Sequence, residues 1–362
     1  MKRGWYGLVA ALLAALIAGC ATSYGTGTLA PAGYGYNTAI AQSHDQQLLL
    51  NLVRLRYRDT VVFMDVTSVT TQHQYTAGLS AENAVPFQDA GSGASLIIPN
   101  AAYTETPTIT YSPVTGADFA TNLLSPISAE TIVLLANSGW SIERLMACCV
   151  ERIGSLSNAP SASGPTPGVL PDNKPFRDLA QLLRRLQTEE KVYVAQASPE
   201  EGRAPVSRLS IDTEPGPDCE ALRFYLSAPG CEVQYDLVPR GQRRSEQALL
   251  IQTRTVLGAL YALSHAVDVP EAHASAGFVT TSLPAGAETQ TWEAFLGHQF
   301  SVRSGPDEPS QSFVKINYRG HWFWIDDSDL DSKTTFSLIL FLLSLQSAAS
   351  QGATPLLTIG SG

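Results

Sequence analysis

Apolar positions recur at helical spacing in some stretches of the chain and alternate with polar positions in others. Helix-like patterns cover residues 43–57, 132–139, 142–153, 176–186, 248–267 and 332–349. Strand-like patterns cover residues 61–75, 106–111, 222–226, 232–237, 313–318 and 321–325. This mixture predicts an α+β fold of mixed sheets and packed helices.

The second half of the chain repeats one order of elements. Strand, strand and helix follow one another in residues 222–267 and again in residues 313–349, which indicates a degenerate repeat. In the first half, residues 79–102 contain Gly91-Ser92-Gly93 and few large side chains. We therefore expect a mobile loop or an irregular hairpin there.

Composition divides the chain into segments. Residues 156–175 are nearly all Ser, Pro, Gly, Ala and Asn, which is typical of a linker. They separate an expected N-terminal α+β subdomain, residues 41–155, from a C-terminal one, residues 176–362. Residues 20–40 are rich in Gly, Ala, Thr and Tyr and read as a flexible tether.

The first 19 residues have the order of a secretory signal. Lys2 and Arg3 precede an apolar run, which ends in Leu16-Ile17-Ala18-Gly19-Cys20. The run is shorter than a stable membrane span. Two simple interpretations of this segment stay open: an ordinary signal peptide in which Cys20 occurs by chance, or an anchor that is not cleaved.

This ending resembles the lipobox of bacterial lipoproteins. The resemblance implies cleavage before Cys20, a diacylglycerol thioether on its sulfur and acylation, for example with palmitate, of the new amino terminus. In that family an Asp after the lipidated Cys favours the inner membrane, and this chain has Ala21. The resemblance therefore implies an outer-membrane anchor facing the periplasm. We expect no cofactor beyond this covalent lipid.

Charge limits the partners that the chain can attract. The chain has 23 Lys+Arg against 33 Asp+Glu, a net charge of −10. An acidic protein has no electrostatic reason to bind nucleic acid or anionic headgroups. We therefore expect no nucleic-acid partner.

Four cysteines remain besides Cys20. Cys219 and Cys231 each lie beside a strand-like run, with Ala228-Pro229-Gly230 between them, so a disulfide is plausible in the oxidising periplasm. Cys148 and Cys149 fall in a helix-like stretch. We interpret them as buried thiols rather than as a redox or metal site.

The strongest cluster of chemically active residues lies between positions 318 and 331. Its members are Tyr318, His321, Trp322, Trp324, Asp327, Asp329 and Asp331. The carboxylates could hold a hard cation such as Ca²⁺, and the aromatic rings could stack on a sugar. The alternative is structural: acidic residues that cap the next helix, and rings that pack in the core. Ser332 and Leu338 stand where an EF-hand has Gly and Glu, which weakens the calcium interpretation.

Catalytic patterns are weak. Ser141 lacks the complete Gly-x-Ser-x-Gly motif and reads as a helix cap. His265, Asp268, Glu271 and His273 cluster in sequence without a His-Glu-x-x-His motif. Arg54, Arg56 and Arg58 read as a solvated helix end or one that forms salt bridges with Asp59. We predict no catalytic residue.

Residues 47–59 and 321–336 resemble segments of hypothetical lipoproteins in Gram-negative envelopes. That resemblance brings no functional residues to this chain. The anchor, the tether and the lack of a catalytic set lead us to expect a non-catalytic accessory or scaffold subunit of an outer-membrane envelope assembly, with an envelope protein as its partner. A glycan- or cation-binding module is the first alternative, and a cryptic hydrolase is the second.

Overall fold

The chain folds into two compact units. The structure, a computed structural model, describes residues 29–83, 95–165, 169–170, 172–197, 206–240, 248–280, 283–284 and 292–348. The smaller unit is Val62–Val114, and the larger unit comprises the chain before and after it. The α+β prediction is confirmed. Cys20 and the signal segment lie outside the described residues.

Two strands form the smaller unit, and helices and strands mix in the larger one. The smaller unit contains β1 (Met64–Asn83) and β2 (Ser95–Pro113). The described helices of the larger unit are α1 (Leu29–Arg56), α2 (Ala117–Leu124), α3 (Ala129–Asn137), α4 (Ile142–Cys149), α5 (Lys174–Thr188), α6 (Pro217–Leu226), α7 (Val256–Ser264), α8 (Glu271–Ser275), α9 (Trp292–Phe295) and α10 (Leu330–Ala348). Its described strands are β3 (Val150–Ile153), β4 (Leu156–Ser157), β5 (Val169–Leu170), β6 (Val192–Ala197), β7 (Val206–Asp212), β8 (Glu232–Pro239), β9 (Ala248–Thr253), β10 (Leu283–Pro284), β11 (Arg303–Gly305), β12 (Val314–Tyr318) and β13 (His321–Ile325).

A six-stranded sheet carries the main core of the larger unit. Its strand order is β4-β3-β9-β8-β7-β6, with β8 and β9 parallel and the other pairs antiparallel. The core cluster joins the apolar stripe of α5 to the inward positions of β7, β8 and β9, including Phe176, Leu183, Leu209, Leu237 and Ile251. Alternation along each strand therefore buries one face of the sheet under helices.

A smaller sheet lies beside the C-terminal helix. Its order is β11-β13-β12, and the turn between β12 and β13 consists of Arg319 and Gly320, both with positive φ. Two central residues with positive φ are the mark of the tight turn that suits a twisted hairpin. Phe323 of β13 and Phe336 of α10 are fully buried. The predicted pair of strands and the following helix are present.

Helix α1 begins earlier than the sequence pattern indicated. It starts at Leu29, so residues 29–40 of the expected tether are helical. The second half of α1 buries Leu48, Leu49 and Leu52 and packs against α7 and β12. Packing of this half stabilises the exposed first half, because a helix propagates from a formed turn at little cost.

The predicted linker at residues 156–175 is instead part of the packed structure where it is described. Asn158 and Ala162 are buried, and a 3-10 turn, Pro160–Ser163, contacts α7. A Cβ on Gly258 of α7 would lie 3.2 Å from Cβ of Ser163, so small residues on both sides permit this approach. Small residues here serve close packing rather than chain flexibility.

The expected repeat in the second half is absent from the described structure. Residues 222–226 end helix α6 rather than forming a strand, and residues 248–253 form β9 rather than the start of a helix. Pro217 at the first turn and the acidic Asp218 and Glu220 favour a helix start there. Likewise the helix predicted through residue 153 stops at Cys149, where β3 begins.

The structure joins Cys219 to Cys231 in a disulfide with Cα atoms 4.9 Å apart. Cys219 lies on α6 and not beside a strand, as the sequence pattern had indicated. The bond links that helix to the start of β8. Cys148 and Cys149 are free and buried, and the hydrogen bond with Cys148, together with burial, raises the pKa of the Cys149 thiol well above its usual value.

No helix in the described part of the chain is long and apolar enough to cross a membrane.

Candidate functional site

The acidic residues of the predicted cation site do not converge. Asp327 forms an ion pair with Lys333 at 2.7 Å, and Asp331 forms one with Arg144 at 2.6 Å. Asp329 accepts a hydrogen bond of 3.0 Å from the main-chain N–H at the third position of α10, as an N-cap does. Among the described residues, no group of three metal-ligating side chains is close enough to hold an ion. These contacts match the helix-capping interpretation.

The two tryptophans contact groups of the chain itself. Trp322 and Trp324 alternate with the fully buried Phe323, so they share the other face of β13. The indole N–H of Trp324 donates to Asp326 at 3.0 Å, and the Lys315 ammonium lies 5.9 Å from the centre of the Trp322 ring. Both tryptophans are half-buried. A sugar would therefore compete with intramolecular contacts for these rings.

Tyr318 and His321 belong to a cluster that the sequence did not reveal. The Tyr318 hydroxyl donates to the Asp59 carboxylate, which also accepts from Arg319 at 2.9 Å. The Arg319 guanidinium lies 5.2 Å from the ring centre of Tyr57. This set therefore links the end of α1 to the turn between β12 and β13.

A histidine pair completes this cluster, which we call the root cluster: Tyr57, Asp59, His273, Tyr318, Arg319 and His321. The Tyr57 oxygen lies 2.7 Å from Nδ1 of His273, and the rings of His273 and His321 are 4.6 Å apart in an edge arrangement. Nδ1 of His321 is buried without a hydrogen-bond partner in the described residues. The root cluster thus ties α1, α8 and β12–β13 together.

Burial and neighbouring charges set the electrostatics of the root cluster. Burial raises the pKa of Tyr57 to about 12, and burial together with His321 and Arg319 lowers the pKa of His273. Burial alone would raise the pKa of Asp59, but the hydrogen bonds from Tyr318 and Arg319 outweigh it and lower that pKa. At neutral pH, Tyr57 therefore keeps its proton and can donate to a neutral His273.

The arginines at the end of α1 do not pair with Asp59 as expected. Arg56 donates to the Thr280 carbonyl at 3.2 Å, and Arg58 donates to the Thr280 hydroxyl. Asp59 pairs with Arg319, far away in sequence. Residues 56–59 are thus fixed to the larger unit just before the smaller unit begins at Val62.

The residues considered for hydrolysis lie in separate places. The Ser141 hydroxyl accepts from the Arg144 main-chain N–H at 3.4 Å and caps α4. His265 is buried and stacks on Trp292 with ring centres 4.4 Å apart, and burial lowers its pKa to about 4. Neither of its ring nitrogens reaches a serine or a carboxylate within the described residues. No hydrolytic set is assembled from these side chains.

A cleft of about 360 Å³ lies over the start of α4. It is lined by Ser138, Gly139, Trp140, Ser141, Arg144, Arg184 and Thr334. Its two arginines already have partners, because Arg144 pairs with Asp331 and Arg184 donates to Gln187 at 2.9 Å. We assign no ligand to this cleft.

The smaller unit is a two-stranded antiparallel ribbon with open edges. In the described residues, β1 and β2 pair only with each other, in a continuous register from Met64↔Pro113 to Asn83↔Ser95 with one irregularity at Val66/Ser68. At about 3.4 Å per residue, strands of 20 and 19 residues extend for about 65 Å. Of the residues predicted to form a mobile loop or an irregular hairpin, 79–83 and 95–102 therefore belong to paired antiparallel strands, while Gly91-Ser92-Gly93 lies outside the described residues.

The register gives the ribbon two chemically different faces. One face holds the β1 positions Ser68, Thr70, Gln72, Gln74, Thr76 and Ser80, opposite the β2 positions Thr110, Thr108, Thr106, Thr104, Ala102 and Ile98. The other face holds Val69, Thr71, His73, Tyr75, Ala77 and Leu79, opposite Ile109, Pro107, Glu105, Tyr103, Ala101 and Pro99. On this more apolar face, the Tyr111 side chain is 40% exposed.

Comparison of the chain with protein-family models, curated proteins and solved structures finds no match.

Proposed function

We propose that this protein is a lipid-anchored, non-catalytic scaffold subunit of an outer-membrane envelope assembly, and that the ribbon is its docking element. The ribbon is the observation that supports this proposal most strongly. A two-stranded sheet about 65 Å long is marginally stable in water, and three or more strands or a packed helix are normally needed. Open edges of this length are typical of strands that receive another strand.

The lipobox ending at Cys20 supports the location. Several acyl chains, at about 0.8 kcal/mol for each buried CH₂, would hold the protein on a membrane. A protein held at a membrane surface can offer the open edges of such a ribbon to partners in the same envelope. The root cluster would serve this role by fixing the segment from which the ribbon departs.

The alternatives receive less support from the geometry. A cation module needs convergent oxygens, whereas Asp327, Asp329 and Asp331 contact different groups. A glycan module needs free aromatic faces, whereas Trp322 lies close to Lys315. We therefore favour docking by the ribbon.

The test is the set of proteins that co-purify with the native protein. The lipidated protein is extracted in mild detergent through a C-terminal tag and analysed by mass spectrometry. The matched variant replaces residues 64–113 by a short Gly-Ser turn. The Val114 N–H donates to the Phe63 carbonyl at 2.8 Å, so the two ends of the deletion already lie together.

We expect a stoichiometric envelope protein with the native chain and its loss from the variant. A lone native protein, or equal recovery of partners with both proteins, would contradict the proposal. Equal thermal unfolding of the larger unit in the two proteins is the control for folding. A Cys20→Ser variant that stays quantitatively in the membrane fraction would contradict the lipid anchor.

A further inference from the structure

The two open edges of the ribbon differ in their main-chain donors. Strand β2 contains Pro99, Pro107 and Pro113, all at odd positions, which point to the same side of the strand. Proline lacks an N–H and is tolerated in a ladder only where that N–H would face away from the partner strand. The outer edge of β2 therefore lacks three main-chain donors along its length.

The outer edge of β1, in contrast, keeps all of its main-chain N–H donors. Its 20 residues contain no proline, lysine or arginine, which are the residues that normally protect an exposed edge from another strand. The β1 positions opposite Pro99 and Pro107 are Leu79 and Thr71. These positions and the alternate ones between them have outward N–H and C=O groups. Strand β1 thus presents a continuous edge for another strand.

The distribution of charge along β1 indicates which kind of strand can pair with its outer edge. Its acidic residues, Asp65 and Glu82, lie near the two ends, and the 16 residues between them carry no acidic or basic side chain apart from His73. A basic partner would have no charge to meet on this edge, but an identical strand meets no repulsion. Self-pairing also requires no second protein of matching length.

We propose that the β1 edge pairs antiparallel with the β1 edge of a second copy of this chain, centred near Gln74. This inference rests on the proposed docking role of the ribbon and names the partner of one edge. The result is a four-stranded sheet with the order β2-β1-β1-β2, which exceeds the three strands that an independent sheet needs. A twofold axis perpendicular to the sheet keeps the polar faces of both copies on one side.

The register centred at Gln74 matches residue types across the axis. On the polar face it sets Gln74 opposite its copy, Gln72 opposite Thr76, and Ser68 opposite Ser80. On the other face, Val69 meets Leu79, Thr71 meets Ala77, and His73 meets Tyr75. Uncharged polar pairs and apolar pairs of this kind stabilise antiparallel strands.

The test is disulfide formation between single cysteines in the full lipidated chain, in membranes, with copper phenanthroline as oxidant. Gln74→Cys is compared with Thr104→Cys, which replaces its register partner on the same face of β2. In the proposed sheet the two copies of position 104 are separated by three strand spacings, about 14 Å. That distance is beyond the reach of a disulfide. The wild-type chain controls for the native cysteines.

We expect Gln74→Cys to form a covalent dimer in most of the protein, and Thr104→Cys and the wild type to stay monomeric. Linkage only in a mixture of the two variants would mean that β1 pairs with β2 of the next copy, and would overturn the proposal. Absence of linkage in every sample would overturn it too. If an envelope partner still co-purifies in those cases, the self-pairing inference fails while the docking function stands.

Discussion

Strand β8 of the six-stranded sheet and strand β1 of the ribbon both alternate polar and apolar positions. In β8 the alternate residues Val233, Tyr235 and Leu237 are buried in the core cluster beneath α5. In the ribbon, Tyr111 stays 40% exposed on the more apolar face. The same pattern thus places side chains in a helix-covered core in one unit and leaves the Tyr111 ring partly exposed in the other. Alternation establishes that a strand has two faces, but not what covers the apolar one.

The largest expected effect on stability comes from an aromatic substitution in the larger unit, compared with a matched substitution in the ribbon. Phe176→Ala removes a fully buried ring beneath the six-stranded sheet and should cost about 4 kcal/mol in the free energy of unfolding. Tyr111→Ala is the matched change on the ribbon and should cost less, about 1 kcal/mol, because 40% of this side chain is already exposed in the fold. Urea denaturation monitored by far-UV circular dichroism measures both. Equal losses would remove the distinction between the units.

The next effect tests whether residues 156–165 belong to the packed unit. Arg254 is fully buried and donates to the Asn158 carbonyl at 2.5 Å and to the Ser163 hydroxyl. Arg254→Ala should cost about 3 kcal/mol, because it leaves buried acceptors unpaired and opens a cavity. Arg185→Ala removes an exposed pair with Asp218 and should cost less than about 1 kcal/mol. A small loss at Arg254 in the same unfolding assay would restore the linker interpretation.

A pH effect should follow from the buried imidazole of His265. Burial lowers its pKa to about 4 from the usual 6.5, so its folded form resists protonation. The contribution of the neutral His265 to stability is complete above pH 6.5. It is lost as the pH falls toward 4, because in this range only the unfolded chain takes up the proton. The loss should be about 2–3 kcal/mol. Unfolding of wild type and His265→Phe between pH 4 and 7 measures it, and an unchanged slope in the variant would contradict this assignment.

The smallest effect concerns the root cluster. Asp59→Asn weakens the contacts to Tyr318 and Arg319 and should cost about 0.5–1 kcal/mol at pH 7, since the carboxylate is one-third exposed. The pKa of Asp59 is lowered in the fold, so this contribution is fully present above the usual Asp pKa of about 4 and is lost as the pH falls through the lowered pKa. Chemical denaturation should therefore show a smaller difference between wild type and variant at pH 3 than at pH 7. An equal difference at both pH values would assign the effect to packing.

Local signals predicted much of the fold. The helix cap at Ser141 and the apolar stripe of α5 each act within a few residues. The end of helix α6 was predicted as a strand because residues 222–226, four apolar residues around Arg223, suit a strand as well as a helix. Residues 156–165 were predicted to be part of a linker because small residues are common both in loops and where two segments pack closely.

The candidate sites were harder to predict, for a physical reason. The contacts of the root cluster join Tyr57 to His273 and Asp59 to Arg319 across more than 200 residues. No periodicity or spacing reports such a contact. The strands of the ribbon were predicted only over residues 64–75 and 106–111, because the Gly, Ala and Ser positions beyond residue 76 resemble a loop and the register depends on the partner strand.

The docking role of the ribbon is tested most directly by photo-crosslinking in living cells. A photoreactive residue is placed at Thr104 on the polar face of the ribbon and, as the control, at the exposed Tyr193 on β6 of the larger unit. Our account predicts discrete protein adducts from position 104 and none of comparable yield from position 193. Adducts from position 193 alone, or none from position 104, would contradict it.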